Sequence, residues 1–123
     1  MTAEEKIRVA VQALDAKRAE KIQVLHVTDL TILGDYFVIA SGTSTTHTKT
    51  LAEEVEFQLS QKGEEPHHRE GMNGSNWYIL DYTDVIVHVF NQDMRDFYRL
   101  EQLWADAEEV DISSLLVEEG ESE

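Results

Sequence analysis

Two aspartates three residues apart are the strongest candidates in this sequence for metal-dependent chemistry. Asp81 and Asp84 are paired carboxylates of the kind that could hold Mg²⁺ for nucleotidyl transfer. They flank a predicted turn, however, instead of alternating along one face of a strand, and a magnesium site needs a more compact set of oxygen ligands. The spacing therefore favours a structural role in the turn.

Metal binding by histidines is a second possibility. Three histidines have glutamates close by in the sequence, and the candidate ligands are His47, His67, His68, Glu64, Glu65 and Glu70. Adjacent side chains on an extended segment point to opposite faces, so His67 and His68 cannot easily bind one ion. The metalloprotease spacing H-E-x-x-H is also absent. We expect solvated or interface histidines, and neither a metal nor a cofactor.

The turn Gly42-Thr43-Ser44 lies between a predicted strand and a predicted helix, where backbone N–H groups and the helix dipole could receive a phosphate. The sequence lacks both glycine-rich phosphate-binding patterns, G-x-x-x-x-G-K-[ST] and G-x-G-x-x-G. Small polar residues are also what any helix needs at its N-terminus. Helix capping is the favoured interpretation.

Charge argues against direct contact with nucleic acid. The net charge is −15, and the first 21 residues carry five bases and four acids, so everything after them sums to −16. Nine carboxylates and no base follow Arg99. Such a chain repels phosphate backbones. Its charge either forms a solvated face that keeps the protein soluble, which is the favoured interpretation, or steers it towards a basic protein partner.

Length and composition predict a single soluble domain. A chain of 123 residues fits one hydrophobic core. The absence of cysteine excludes disulfides and thiolate catalysis, and it fits a reducing cytoplasm. The acidic N-terminus does not resemble a secretory signal, and no apolar stretch could span a bilayer. We expect no membrane partner.

Two helices are predicted from capping residues and apolar periodicity. Thr2 and Glu5 form a capping box that starts a helix running to about Glu20. A second helix follows the small polar loop 41–46, which offers several possible N-caps, and its apolar stripe of Leu51, Val55 and Leu59 ends at Gly63. A third helix is expected after Asp93.

Five strands are predicted around these helices, in a mixed sheet. They are 21–27, 36–40, a weak and polar edge strand at 66–70, and a hairpin of 77–80 with 85–90. The strand at 66–70 is expected to run parallel to that at 36–40 through a right-handed crossover. We expect residues 1–111 to form the domain and 112–123 an acidic, mobile tail.

The most informative stretch is the apolar run Val85 to Phe90, which contains one imidazole, His88. Such a run predicts a buried strand, in which His88 is either a satisfied core residue or a recognition contact. Trp77 follows a polar loop and is either a core residue or a hot-spot anchor. Helical spacing after residue 93 then indicates a polar and aromatic surface at Arg95, Tyr98, Glu101 and Trp104.

These segments resemble the ribosomal silencing factor family, also called Iojap-like proteins. The resemblance covers about residues 3–111, and the matching segments are 35–44, Glu70-Gly71 with Trp77, 84–90 and 95–104. Two departures stand out. Thr46 precedes His47 where the family often has arginine, and Thr83 occupies a hairpin position that is usually glycine, which favours a turn other than type I′.

The resemblance implies a fold, a partner and a mode of action. It implies a single α/β domain of nucleotidyltransferase-like topology, without catalysis, that can form a homodimer. It also implies binding to the large ribosomal subunit through ribosomal protein fourteen and steric exclusion of the small subunit. The residues expected at this interface are Glu70, Trp77, Asp81, His88, Arg95 and Tyr98. Two alternatives remain: a magnesium-dependent nucleotidyltransferase using Asp81 and Asp84, and a scaffold for large-subunit assembly.

Overall fold

The structure is a computed structural model that describes residues 1–27, 34–71, 76–93 and 107–116. Within these ranges it is one α/β domain with two α-helices and a six-stranded mixed sheet. The helices are α1, Ala3–Ala16, and α2, Thr45–Gln61, and a short 3₁₀ turn spans Ser113–Leu115. The strands are β1 (Glu20–His26), β2 (Tyr36–Gly42), β3 (His68–Glu70), β4 (Trp77–Asp81), β5 (Val85–Asn91) and β6 (Glu108–Val110).

The order of strands across the sheet is β3-β4-β5-β2-β1-β6. Only β2 and β5 pair in parallel, and every other neighbouring pair is antiparallel. The predicted edge strand is confirmed, since β3 lies at the sheet edge and all three of its residues are exposed. It runs in the same direction as β2, as expected, but it pairs with β4 and not with β2. The third predicted helix falls on residues outside the described ranges.

Both described helices start as predicted, but α1 ends earlier. The capping box is formed: the Glu5 N–H donates to Thr2 Oγ1 at 3.1 Å and the Thr2 N–H to Glu5 Oε1 at 2.8 Å. At the other end, the Ala19 N–H donates to the Leu14 carbonyl and the Arg18 N–H to that of Asp15. This is a Schellman motif, with Arg18 in the left-handed region at φ 63°, and it stops the helix at Ala16.

One face of the sheet packs against both helices and is called here the helix-covered face. Helix α2 contributes its predicted apolar stripe, Leu51, Val55 and Leu59, each fully buried. The strands contribute alternate residues, and the main ones are Val24, Val38, Ala40, Tyr78, Leu80, Val85, Val87 and Val89. Ile112 joins this cluster at 8% exposure, so core packing extends into the segment expected to be a tail.

A buried lysine connects α1 to the β4–β5 turn. Lys6 is 8% exposed, and its Nζ donates to the Tyr82 carbonyl at 3.1 Å and to Asp84 Oδ1 at 2.8 Å. A buried ammonium is tolerated because these oxygens replace its water. Residue 6 is thereby joined to a turn almost eighty residues later in the chain.

The turn between β4 and β5 differs from type I′, as expected from Thr83. The Tyr82 N–H donates to the Val85 carbonyl at 2.9 Å, which leaves Thr83 and Asp84 as the loop. Type I′ requires positive φ at both loop residues, whereas here only Thr83, at 78°, has it. The Asp84 N–H donates to the Tyr82 carbonyl across Thr83, which adds a γ-turn. A β-branched residue is strained in this conformation.

Candidate functional site

The second face of the sheet gathers aromatic side chains and is called here the aromatic face. Because side chains alternate along a strand, Ile86, His88 and Phe90 of β5 point away from the two helices. Strand pairing sets Trp77 beside Phe90, Ile79 beside His88, and Phe37 of β2 beside Ile86. The residues of this face that the structure packs together are Leu25, Val27, Phe37, Ile39, Ile86 and Phe90, with Ile79 and Ala107 at the margin.

Trp77 and His88 are joined on this face by a hydrogen bond. The indole Nε1–H of Trp77 donates to His88 Nδ1 at 3.2 Å. The Trp77 ring also lies 4.9 Å from that of Phe90, and the His88 ring lies 4.7 Å from that of Phe37, both in tilted arrangements. Tilted aromatic pairs at these distances attract each other beyond their burial alone.

Trp77 and His88, the two partners of this hydrogen bond, differ strongly in solvent exposure. Trp77 is 37% exposed, whereas His88 is 6% exposed. Burial lowers the pKa of His88 to about 4, because an imidazolium loses its hydration among apolar neighbours. The neutral ring at physiological pH leaves Nδ1 available as the acceptor for Trp77. His88 therefore lies beneath the surface, and Trp77 is the residue that a partner can touch.

Two carboxylates lie on the same sheet face as the tryptophan, further along β3 and β4. Glu70 of β3 pairs with Ile79, and Asp81 ends β4, so both point to the side on which Trp77 lies. The Glu70 side chain is 61% exposed and lies 2.8 Å from Nε2 of His68, its neighbour along the same strand face. Asp81 Oδ1 accepts the Thr83 N–H at 2.8 Å, the turn role that its position predicted.

The edges of the sheet are less suited to binding than this face. Both edge strands, β3 and β6, are only three residues long. Each consists largely of charged residues, His68-Arg69-Glu70 and Glu108-Glu109-Val110. Short, charged edges are what proteins use to prevent strands from adding. Addition of a strand at either of these described edges is therefore disfavoured.

The structure places four of the six predicted interface residues on one face: Glu70, Trp77, Asp81 and His88. Arg95 and Tyr98 lie outside the described residues. Among these four, His88 is too buried to touch a partner directly. Phe37 was missed as a supporting residue, because its contact with His88 depends on the parallel pairing of β2 with β5, for which the sequence carries no local signal.

The residues weighed for metal chemistry are engaged elsewhere. Asp84 Oδ1 accepts a hydrogen bond from the ammonium of Lys6, and Asp81 Oδ1 accepts one from the backbone N–H of Thr83 in the turn. Among the described residues, no group of three or more histidine, aspartate or glutamate side chains is placed to hold a metal ion.

The turn weighed for phosphate binding is a helix cap. Ser44 is the N-cap of α2, and its Oγ accepts the His47 N–H at 3.0 Å. The Thr43 N–H donates to Nδ1 of His47 at 2.9 Å, and Nε2 of the same ring lies 2.8 Å from the Lys17 carbonyl. Capping is confirmed, and His47 links the start of α2 to the end of α1. One backbone N–H of the turn, that of Thr43, and one at the start of α2, that of His47, are thus already used within the protein.

Fold and site together define a small α/β domain with one sheet face packed against helices and a partly exposed tryptophan on the other. The chain belongs to the ribosomal silencing factor family. The family profile described as "Ribosomal silencing factor during starvation" matches residues 1–123. The resemblance first seen in short segments is thus confirmed over the whole chain, which supports a ribosome-associated silencing role.

Individual relatives carry the same description. A protein of Halalkalibacterium halodurans named ribosomal silencing factor RsfS is 34% identical over 116 residues, which are 94% of this chain and 99% of the relative. One of the same name from Bacillus subtilis is 37% identical over 106 residues, 86% of this chain and 90% of the relative. The family is thus named for a regulatory role and not for a reaction.

Solved structures share the fold. A crystal structure of a Chromobacterium violaceum protein superposes with a TM-score of 0.81 at 32% identity, covering 85% of this chain and 88% of that one. A second, from Bacillus halodurans, gives a TM-score of 0.77 at 33% identity and covers 88% of this chain and 98% of that one. In the described part of this chain, no helix has the length and apolarity needed to cross a membrane.

Proposed function

We propose that this protein binds the large ribosomal subunit through ribosomal protein fourteen and thereby prevents the small subunit from joining. The observation that carries the proposal is the aromatic face, on which a partly exposed tryptophan shares one sheet face with the carboxylates of Glu70 and Asp81. Partly exposed aromatic side chains are typical energetic centres of protein interfaces, whose rims are polar. Membership of the silencing factor family indicates the ribosome as the place of action.

The charge of the domain suits a basic protein partner. Glu70 and Asp81 contribute negative charge on the face that carries Trp77, and the chain as a whole carries −15. Ribosomal proteins are generally basic, so long-range attraction would raise the rate of encounter, while the buried part of the interface would set its lifetime. Arg95 and Tyr98 are proposed as further contacts on sequence grounds alone.

The proposed mechanism is occupancy without catalysis. A domain bound at the subunit interface excludes the small subunit by its volume, so neither a covalent step nor a cofactor is required. Repression then depends only on the fraction of large subunits that carry the factor, and it is reversed when the factor leaves. Translation would be damped in proportion to that fraction.

A subunit-joining assay tests the proposal. Purified large and small subunits are mixed in a light-scattering instrument with increasing amounts of the full-length protein. We expect joining to slow until one factor is present per large subunit. A pull-down against separated large-subunit proteins at several salt concentrations should retain one basic protein, and retention should weaken with salt. Joining at an unchanged rate on saturated large subunits contradicts the proposal.

A second candidate function is supported by the name of one relative. A mouse protein named "Mitochondrial assembly of ribosomal large subunit protein 1" is 30% identical over 101 residues, which are 80% of this chain but 44% of that protein. The alternative is a scaffold in large-subunit assembly, for which a homodimer would also serve. It predicts incomplete large subunits in cells that lack the protein, together with normal joining of mature subunits in the assay above.

A further inference from the structure

His88 is the one polar side chain that β5, a strand with six of its seven residues buried, points to the aromatic face. His88 is flanked across the sheet by Ile39 on β2 and Ile79 on β4. Its own strand places Ile86 and Phe90 on either side of it along the same face. A polar group in apolar surroundings costs free energy unless it is hydrogen-bonded, so an aliphatic residue would suit packing alone better. The structure supplies a reason for the imidazole: its Nδ1 accepts the indole N–H of Trp77.

The surroundings of both rings restrict them. His88 lies against Phe37 and stacks on Phe90 at a centroid distance of 5.9 Å and an interplanar angle of 8°. Trp77 is held on one side by Phe90 and by the hydrogen bond to His88, while 37% of its surface is exposed. The His88 ring is thus fixed by packing, and the Trp77 ring is fixed in part by its contact with His88.

We infer that His88 is a positioning residue, which holds the Trp77 indole through the Nδ1 acceptor in the orientation that a protein partner binds. This inference rests on the proposed function. A tryptophan side chain has two dihedral angles to be fixed on binding, and a hydrogen bond that fixes them beforehand removes part of that entropic cost. His88 itself does not touch the partner. Fixing one side chain in advance corresponds to about a twofold to tenfold gain in affinity.

The first test observes the wild-type protein and uses a substitution only to assign one signal. Long-range proton–nitrogen NMR spectra of the histidine rings distinguish the two neutral tautomers. We expect His88 to carry its proton on Nε2, with Nδ1 unprotonated, and the indole proton of Trp77 to exchange slowly with solvent. The signal of Trp77 is assigned from its loss in Trp77→Phe. A proton on Nδ1 of His88 at neutral pH overturns the inference, because that nitrogen could not accept the indole N–H.

The second test replaces the acceptor and then restores it. His88→Phe keeps an aromatic ring but has no acceptor, whereas Oδ1 of His88→Asn occupies the position of Nδ1. Affinity for purified large subunits is measured for folded protein, with Ile86→Val as a control on the same face of the same strand. We expect His88→Phe to weaken binding about twofold to tenfold, and His88→Asn to recover most of the loss. The control should bind like wild type.

A double-mutant cycle separates positioning from a general structural effect. In a Trp77→Ala background, His88→Phe should cause no further loss of binding, since the residue it positions is gone. An equal loss in both backgrounds overturns the inference, as does wild-type affinity of His88→Phe alone. Failure of the proposed function looks different: the wild-type protein would then not bind large subunits, or would bind them without slowing subunit joining.

Discussion

Both faces of the sheet bury apolar strand residues, but the side chains that pack against them differ. On the helix-covered face, fully buried aliphatic side chains such as Leu51 and Val87 fill the space between two helices and the strands. On the aromatic face, Phe37, His88 and Phe90 support a tryptophan that keeps 37% of its surface exposed. Under the proposed function, the helix-covered face provides stability and the aromatic face provides recognition.

The largest expected effect is a loss of stability when packing on the helix-covered face is disrupted. Leu51→Ala removes a fully buried side chain beneath α2 and should lower the free energy of unfolding by about 2–5 kcal/mol. Chemical denaturation followed by far-ultraviolet circular dichroism measures this change. Affinity of the remaining folded protein for large subunits should stay at the wild-type value. A matching loss of affinity in the folded fraction would mean that the faces do not act separately.

Acid should destabilise the protein through the aromatic face. The pKa of His88 is about 4 in the folded protein against 6.5 for an unperturbed histidine, because burial disfavours the charged ring. As the pH falls, the His88 ring is therefore protonated in the unfolded chain before it is protonated in the folded protein. Its contribution to the free energy of unfolding is fully present above about pH 6.5 and decreases as the pH drops towards 4. The shift corresponds to about 3 kcal/mol.

Comparison of wild type with His88→Phe over this pH range isolates that contribution from the carboxylates. The difference in free energy of unfolding between the two proteins should change with pH between 6.5 and 4, wild type losing more. A constant difference would show that His88 does not titrate as its burial indicates. Denaturant melts at five or six pH values are sufficient for the measurement.

Truncation of the exposed anchor should separate binding from stability. Trp77→Ala should weaken association with large subunits by about 2 kcal/mol, the scale of an interface hot spot. Its melting temperature should change little compared with that of Leu51→Ala, because the indole is only partly buried. Affinity and thermal melts measured on the same preparation check both statements. A collapse of the melting temperature would identify Trp77 as a core residue.

The smallest expected effect is an increase in the free energy of unfolding. Thr83 has a φ of 78°, which glycine adopts without strain, so Thr83→Gly should stabilise the protein by about 1 kcal/mol. The β4–β5 pairing that places Trp77 and His88 on one face should be unchanged. Denaturant melts measure the gain, and unchanged affinity for large subunits serves as the control. A loss of stability would mean that the greater freedom of glycine in the unfolded chain outweighs the relieved strain.

The features predicted correctly from sequence are those set by local patterns. The capping box at Thr2 and Glu5 and the apolar stripe of α2 specified where helices begin and which side they bury. The β4–β5 hairpin followed from two apolar runs around a short turn. Glu70, Trp77 and Asp81 share one face of the sheet. This follows from the alternation of side chains along a strand, once β3, β4 and their register are known.

What the sequence did not reveal depends on long-range packing. Strand β6 was missed because Glu108 and Glu109 carry no strand signal, and it exists through pairing with β1. The early end of α1 was missed because an arginine, not a glycine, adopts the left-handed position at its end. The burial of His88, and with it the depressed pKa, follows from Phe37, Ile39 and Ile79 on neighbouring strands.

The ammonium of Lys6 couples the beginning of the chain to the hairpin that carries the tryptophan. It joins α1 to the Tyr82 carbonyl and the Asp84 carboxylate, so these contacts form only after residues far apart in sequence have met. Fraying of the first helix would leave two buried or half-buried oxygens without their cation. The N-terminal segment and the β4–β5 hairpin should therefore open together, as one cooperative unit in hydrogen exchange.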